Sequence, residues 1–174
     1  MNSLREKAET LDEQEDYIGC AEAYEQLLTS GKASTSDLIA LGLVYFEACD
    51  GGIAAARRLP IEFERHAGSR LQEVLREAVT LDPSNCEARF WEMYCRSILL
   101  AEWNKRAFDD LFESPDYRCG GAFVTMWKLT YDDDTAVADA ESILEDPALR
   151  KSSMGRTIAS QLRAALTRRR LRDI

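Results

Sequence analysis

Apolar side chains recur at intervals of three and four residues along almost the whole chain, a period that admits little except packed α-helices. Residues 4–13 and 17–29 read as two short amphipathic helices joined near Glu15-Asp16, the second with Tyr17, Cys20, Ala21, Tyr24, Leu27 and Leu28 on one face. Ser30-Gly31-Lys32 ends it, and Ser34 or Ser36 with Asp37 supplies an N-cap for a helix from Leu38 to Ala48. Asp50-Gly51-Gly52 is a break. The helical pattern resumes near residue 69 and runs to Leu81, where Asp82-Pro83 stops it. Further helices are expected at about 86–100, 103–113, 121–131, 135–145 and 154–172. Nine Gly and four Pro in 174 residues supply too few turns for a β-sandwich or barrel, and the length suits one domain, residues 1–174.

Helices in pairs prompt a search for repeats. In residues 16–28, Cys20 is followed by Tyr24 and Leu27 at helical spacing. Leu38-x-x-Leu41-Gly42-x-x-Tyr45 places a glycine on a packing face, where it weakens the helix but admits a close neighbour. Leu71-x-x-x-Leu75-x-x-Ala78 then leads into Leu81-Asp82-Pro83. These segments resemble the tetratricopeptide repeat (TPR) family: 16–28 as a second helix, 38–45 as a first helix with Leu38 in place of the usual Trp, and 71–83 as a second helix with its closing turn. The Tyr45-to-Pro83 spacing is about 17 residues longer than the family's, which places an irregular insertion within 49–69. The resemblance implies an all-α fold of antiparallel helix pairs stacked as a short TPR-like solenoid with a C-terminal capping helix at about 154–172. On that helix Ile158, Leu162, Ala165 and Leu166 form an apolar stripe, and Arg163, Arg168, Arg169, Arg170 and Arg172 give the polar outer face that a terminal repeat requires.

The helix at 38–48 is the informative exception to simple amphipathicity. Leu38, Leu41, Gly42 and Tyr45 account for its packing between repeats, yet Ile39, Leu43, Val44 and Phe46 make it apolar almost all round. Such a helix must be covered on every side. The resemblance turns Ile39, Leu43 and Phe46 toward a concave groove and sets Glu9, Asp12, Glu13 and Glu47 around its rim. Two coverings are open: the inserted residues 50–68, with Ile53, Leu59, Ile61 and Phe63, or a docked partner. An acidic rim over an apolar floor suits a basic or amphipathic protein partner.

Charge is unevenly spread. Residues 1–50 carry 3 basic and 11 acidic side chains, net −8, whereas residues 148–174 carry 8 basic and 1 acidic, net +7. The whole chain is at −9, a poor balance for gripping phosphate backbones, so no nucleic-acid partner is expected. The triplet Arg168-Arg169-Arg170 reads as a solvated cap that pairs with acidic neighbours. No apolar stretch is long enough for a membrane span, and residues 1–7 have no apolar run of a secretory signal. Five cysteines without a C-x-x-C pair read as reduced, mostly buried thiols in a cytoplasmic protein.

Catalytic signatures are absent: no P-loop, G-x-G-x-x-G, H-E-x-x-H or G-x-S-x-G occurs. A single histidine, His66, leaves few options for a metal or a triad, and Asp132-Asp133-Asp134 reads as a helix N-cap. No cofactor or metal is therefore expected. The leading expectation is a non-enzymatic protein-binding module, monomeric when free: an adaptor, a chaperone or a toxin-neutralising immunity protein. One alternative is an enzyme whose site lies in the insertion, with His66 and carboxylates such as Glu62 and Glu64; another is a structural self-assembler.

Overall fold

The computed structural model describes residues 3–101, 103–114, 120–130 and 133–172, and these are helical almost throughout. Ten α-helices follow in order: α1 (Leu4–Glu13), α2 (Tyr17–Thr29), α3 (Thr35–Ala48), α4 (Gly51–Arg57), α5 (Ile61–Leu81), α6 (Cys86–Leu100), α7 (Lys105–Glu113), α8 (Gly121–Thr130), α9 (Val137–Leu144) and α10 (Ser153–Arg172). Short 3-10 turns at Asp134–Ala136 and Pro147–Arg150 lead into the last two. No single helix among the described residues is long and apolar enough to cross a membrane.

Local chemistry explains most boundaries. Ser3 and Glu6 form a reciprocal capping box at the start of α1, and Ser34 with Asp37 does the same for α3. Of the two serines that could cap α3, Ser34 does so, and the helix starts three residues before Leu38. Asn85 and Asn104 cap α6 and α7, and Asp133 caps the 3-10 turn that precedes α9; Asp132 lies outside the described residues. Three turns are made by non-glycine residues in the left-handed region, Glu15, Arg58 and Ala101, with φ between 54° and 56°.

The segment expected as an insertion is itself helical. Asp50 caps α4, which bends 84° from α3, and Pro60 then starts α5 eight residues earlier than the periodicity places it. Ile53, Leu59 and Phe63 are half-buried against the core, while Ile61 stays 51% exposed.

Buried apolar residues from α1 to α10 form one continuous cluster. Its N-terminal part is built on α3 and α5, which pack so closely that a Cβ at Gly42 would lie 2.5 Å from Leu75 Cδ2. Above them Glu25 on α2 accepts from both Tyr45 Oη (3.0 Å) and Arg70 Nε (2.9 Å), so one carboxylate ties α2, α3 and α5. The C-terminal part is aromatic: Phe90 lies 5.0 Å from Phe123, and Phe108 stacks on Trp127 at 4.1 Å between ring centroids. Cys20, Cys49 and Cys95 are free thiols, but Cys86 is disulfide-bonded, which corrects the expectation of reduced cysteines throughout. Cys119 lies outside the described residues.

The last helix does more than cap one end. Ile158, Leu162, Ala165 and Leu166 are buried as the stripe requires, and α10 packs against α8, α9 and also α3. On its outer side Arg169 pairs with Asp134, and Arg170 lies 3.7 Å from Glu141. Gly155 permits the turn before it to pack tightly, since a Cβ there would meet the Leu149 carbonyl oxygen at 2.3 Å.

Candidate functional site

The residues that sequence places around one groove are divided by α10. Ile39, Leu43 and Glu47 share a face of α3 at intervals of four residues, and Glu47 is hydrogen-bonded to Arg156 of α10. Ile39 and Leu43 are 1% and 0% exposed, inside the core. They are therefore not a floor open to a partner. The chain's own C-terminal helix, anticipated by neither covering, packs against α3 and meets this face at Glu47, while the segment expected as an insertion also packs on α3 through α4 and Phe63.

Asp12 and Glu47, expected on the open rim, are likewise buried, each 5% exposed. Asp12 sits at the N-terminus of α10, where its two carboxylate oxygens accept from the Ser153 amide at 3.1 and 2.9 Å and Oδ2 also accepts from the Ser153 hydroxyl at 3.1 Å. Placing an anion there satisfies an orphan amide and complements the helix dipole. Arg156, one turn on, donates Nη2 to Asp12 Oδ1 (2.7 Å) and to Glu47 Oε2 (2.9 Å), and Nη1 to the Asp12 carbonyl (3.0 Å). Its guanidinium carbon also stands 5.9 Å from the Tyr17 ring centroid, within cation–π range. One arginine thus joins α1, α2, α3 and α10. Burial dominates the titration of Glu47: although the Arg156 donors oppose it, the carboxyl is pushed up to about 7. Burial also raises the Tyr17 hydroxyl.

On one side of this clamp a cleft of about 570 Å³ opens between α1, the start of α3 and the start of α10. Glu9 and Glu13 line it; both are exposed, and neither has an ion-pair partner among the described residues. Half-buried Ala40 and Met154 and the edge of buried Tyr24 line the same cleft. Two cations also line the cleft. Arg5 is already held by Asp37 through a two-pronged contact at 2.7 and 2.6 Å, and Lys151 stands at the α10 side. Burial works against the Asp37 charge, but Arg5 and Ser34 outweigh it and hold the carboxyl below its usual range.

On the other side a second cleft, about 360 Å³, lies where the end of α3 meets α4, the end of α6 and the middle of α10. Phe46, half-buried, belongs here together with Ile53, Ile98 and Leu99. The seven predicted residues therefore separate three ways: Glu9 and Glu13 with Asp12 beneath them at the first cleft, Phe46 and the edge of Glu47 at the second, and Ile39 and Leu43 in the core.

His66 is exposed on α5, its Nε2 3.4 Å from Tyr45 Oη and its ring edge-on to that of Tyr45. Glu62 is exposed and Glu64 half-buried on the same helix. No group of three or more metal-ligating side chains is found among the described residues. Sequence reasoning missed Ser153, Arg156 and Thr157. Ser152-Ser153 carries an ordinary N-cap signal, and Ser152 Oγ does accept from the Gly155 amide, but nothing local pairs Arg156 with carboxylates 109 and 144 residues away. Compared with protein-family models, curated proteins and solved structures, the chain matches none.

Proposed function

We propose that this chain is a non-enzymatic, TPR-like protein-binding module that takes a basic, amphipathic segment of a partner in the cleft between α1 and the N-terminal ends of α3 and α10. The observation that carries the reading is the pair of exposed carboxylates, Glu9 and Glu13, without an ion-pair partner among the described residues, in one cleft with Tyr24, Ala40 and Met154. Exposed acids next to apolar surface favour a cationic segment with an apolar face, by charge complementarity and burial together. The TPR-like element of the reading is supported by Gly42, where the resemblance expects a close partner helix and where Leu75 packs too near for a Cβ. In this reading α10 is the lateral wall of the binding cleft, locked by Arg156, and the partner contacts it at Met154. The cellular role would be that of an adaptor, a chaperone or a neutralising immunity protein.

The test is a fluorescence-anisotropy titration of the full chain with a labelled amphipathic Lys/Leu helix, against a Glu/Leu helix of the same pattern. Binding of the basic peptide should weaken at least about tenfold between about 50 and 500 mM salt, and again in E9Q/E13Q, because screening and charge removal act on the same contacts. Equal affinity for both peptides, or an unchanged affinity in E9Q/E13Q, would overturn the reading.

A further inference from the structure

We propose that the cleft at the junction of α3, α4, α6 and α10 is a binding site for a small organic amine, a primary ammonium on a short apolar body. This stands apart from the protein-binding reading and uses different residues. The cleft's volume, about 360 Å³, lies in the range of small-ligand sites. Four apolar side chains from three helices wall it: Phe46, Ile53, Ile98 and Leu99. Of these Ile98 and Leu99 remain 37% and 41% exposed, apolar surface that no part of the described chain covers.

The polar side of the cleft points to the head group. Thr157, on α10, is 3% exposed, and its hydroxyl oxygen has no hydrogen-bond partner among the described residues. Four other helical threonines, Thr10, Thr29, Thr80 and Thr130, donate to the carbonyl one turn back at 2.8–2.9 Å. Thr157 makes no such bond, and its buried hydroxyl, on a residue that lines the cleft, is one of a few side-chain polar groups left unsatisfied, with those of Gln72 and Trp91. Asp50 lines the same cleft; its Oδ1 caps α4 by accepting from the Gly52 and Ile53 amides at 2.8 and 3.0 Å, while Oδ2 takes no hydrogen bond among the described residues. Glu47 and Asp50 are the charged residues that line the cleft, and no Lys, Arg or His joins them. An ammonium has three donors and no acceptor, which suits a cleft lined by a hydroxyl oxygen and a carboxylate. An anionic head would meet the Asp50 carboxylate, and a neutral alcohol would gain no charge pairing with its Oδ2.

The test is an amide-resolved NMR titration of the full chain with phenethylamine, phenethyl alcohol and 3-phenylpropanoate, which differ in the head group on nearly the same body. The amine should shift the Gly51, Ile53, Leu99 and Ser160 amides with an affinity at least about fivefold above that of the alcohol, and the carboxylate should not shift them. Asp50→Asn keeps an N-cap side chain and removes the charge, and Thr157→Val keeps the shape and removes the hydroxyl; each should weaken the amine about three- to tenfold. Leu99→Arg, at an exposed position, places a cation at the mouth and should abolish the shifts without touching a buried group. Equal affinity for amine and alcohol, amine shifts centred on Glu9 and Glu13, or wild-type affinity in the folded variants would overturn the proposal.

Discussion

Glu47 offers the sharpest test of how α10 is held. Its carboxyl is buried against Arg156, and burial carries it from the usual 4.5 to about 7. A raised folded-state value means that the folded protein keeps a proton that the unfolded chain has already lost. Stability from this group is therefore complete below about 4.5, falls as pH rises, and is gone above about 7. Each unit of displacement corresponds to about 1.4 kcal/mol, so about 3 kcal/mol should disappear across that window. Glu47→Gln cannot ionise and lacks this dependence, while every other titrating group is shared and cancels in the difference. Urea unfolding followed by circular dichroism, at pH values from about 5 to about 8, gives both stabilities directly. The wild type should lose about 2–3 kcal/mol relative to E47Q as pH rises across this range. Parallel stability curves for the two proteins would refute the burial argument.

Arg156→Met should destabilise by about 3–5 kcal/mol near neutral pH, because it leaves Asp12 and Glu47 buried without their cation; the loss should shrink near pH 5, where Glu47 is protonated, and a loss below about 1 kcal/mol in urea unfolding would contradict the clamp. Gly42→Ala should cost about 1–3 kcal/mol despite alanine's better helix propensity, since its Cβ would meet Leu75. Adding Leu75→Ala should recover part of that loss, and thermal melts that are simply additive would speak against the contact. Arg58→Gly should stabilise by up to about 1 kcal/mol, because Arg58 closes α4 in the left-handed region with φ 55°; a lower melting temperature in that variant would contradict it.

What the sequence reveals here is what local chemistry writes into it. The bounds of α1, α2 and α6 follow from caps and apolar periodicity, and Gly42 stands where Leu75 of α5 leaves no room for a Cβ. The start of α5 was legible in principle, since a proline at a helix entrance is a start signal, but Glu62, Glu64, Gly68 and Ser69 dilute the apolar period there. The turn at Glu15 carries no glycine, so the break between α1 and α2 is marked only by Asp16, the N-cap of α2. The covering of α3 was not legible. An all-round apolar helix states that something must lie over it and cannot say what, because Asp12–Ser153 and Glu47–Arg156 pair residues 141 and 109 positions apart. That long-range docking turns Asp12 and Glu47 into clamp residues and leaves Glu9 and Glu13 as the exposed part of the acidic rim, while Ile39 and Leu43 lie in the core.

The most direct measurement of the proposed function is capture from native extract on the immobilised full chain, wild type beside E9K/E13K, at about 50 and 500 mM salt. The prediction is one stoichiometric basic protein retained by the wild type at low salt, weakened at high salt and absent from the charge-reversed variant. A wild type and a variant that retain the same proteins at both salt concentrations would contradict it.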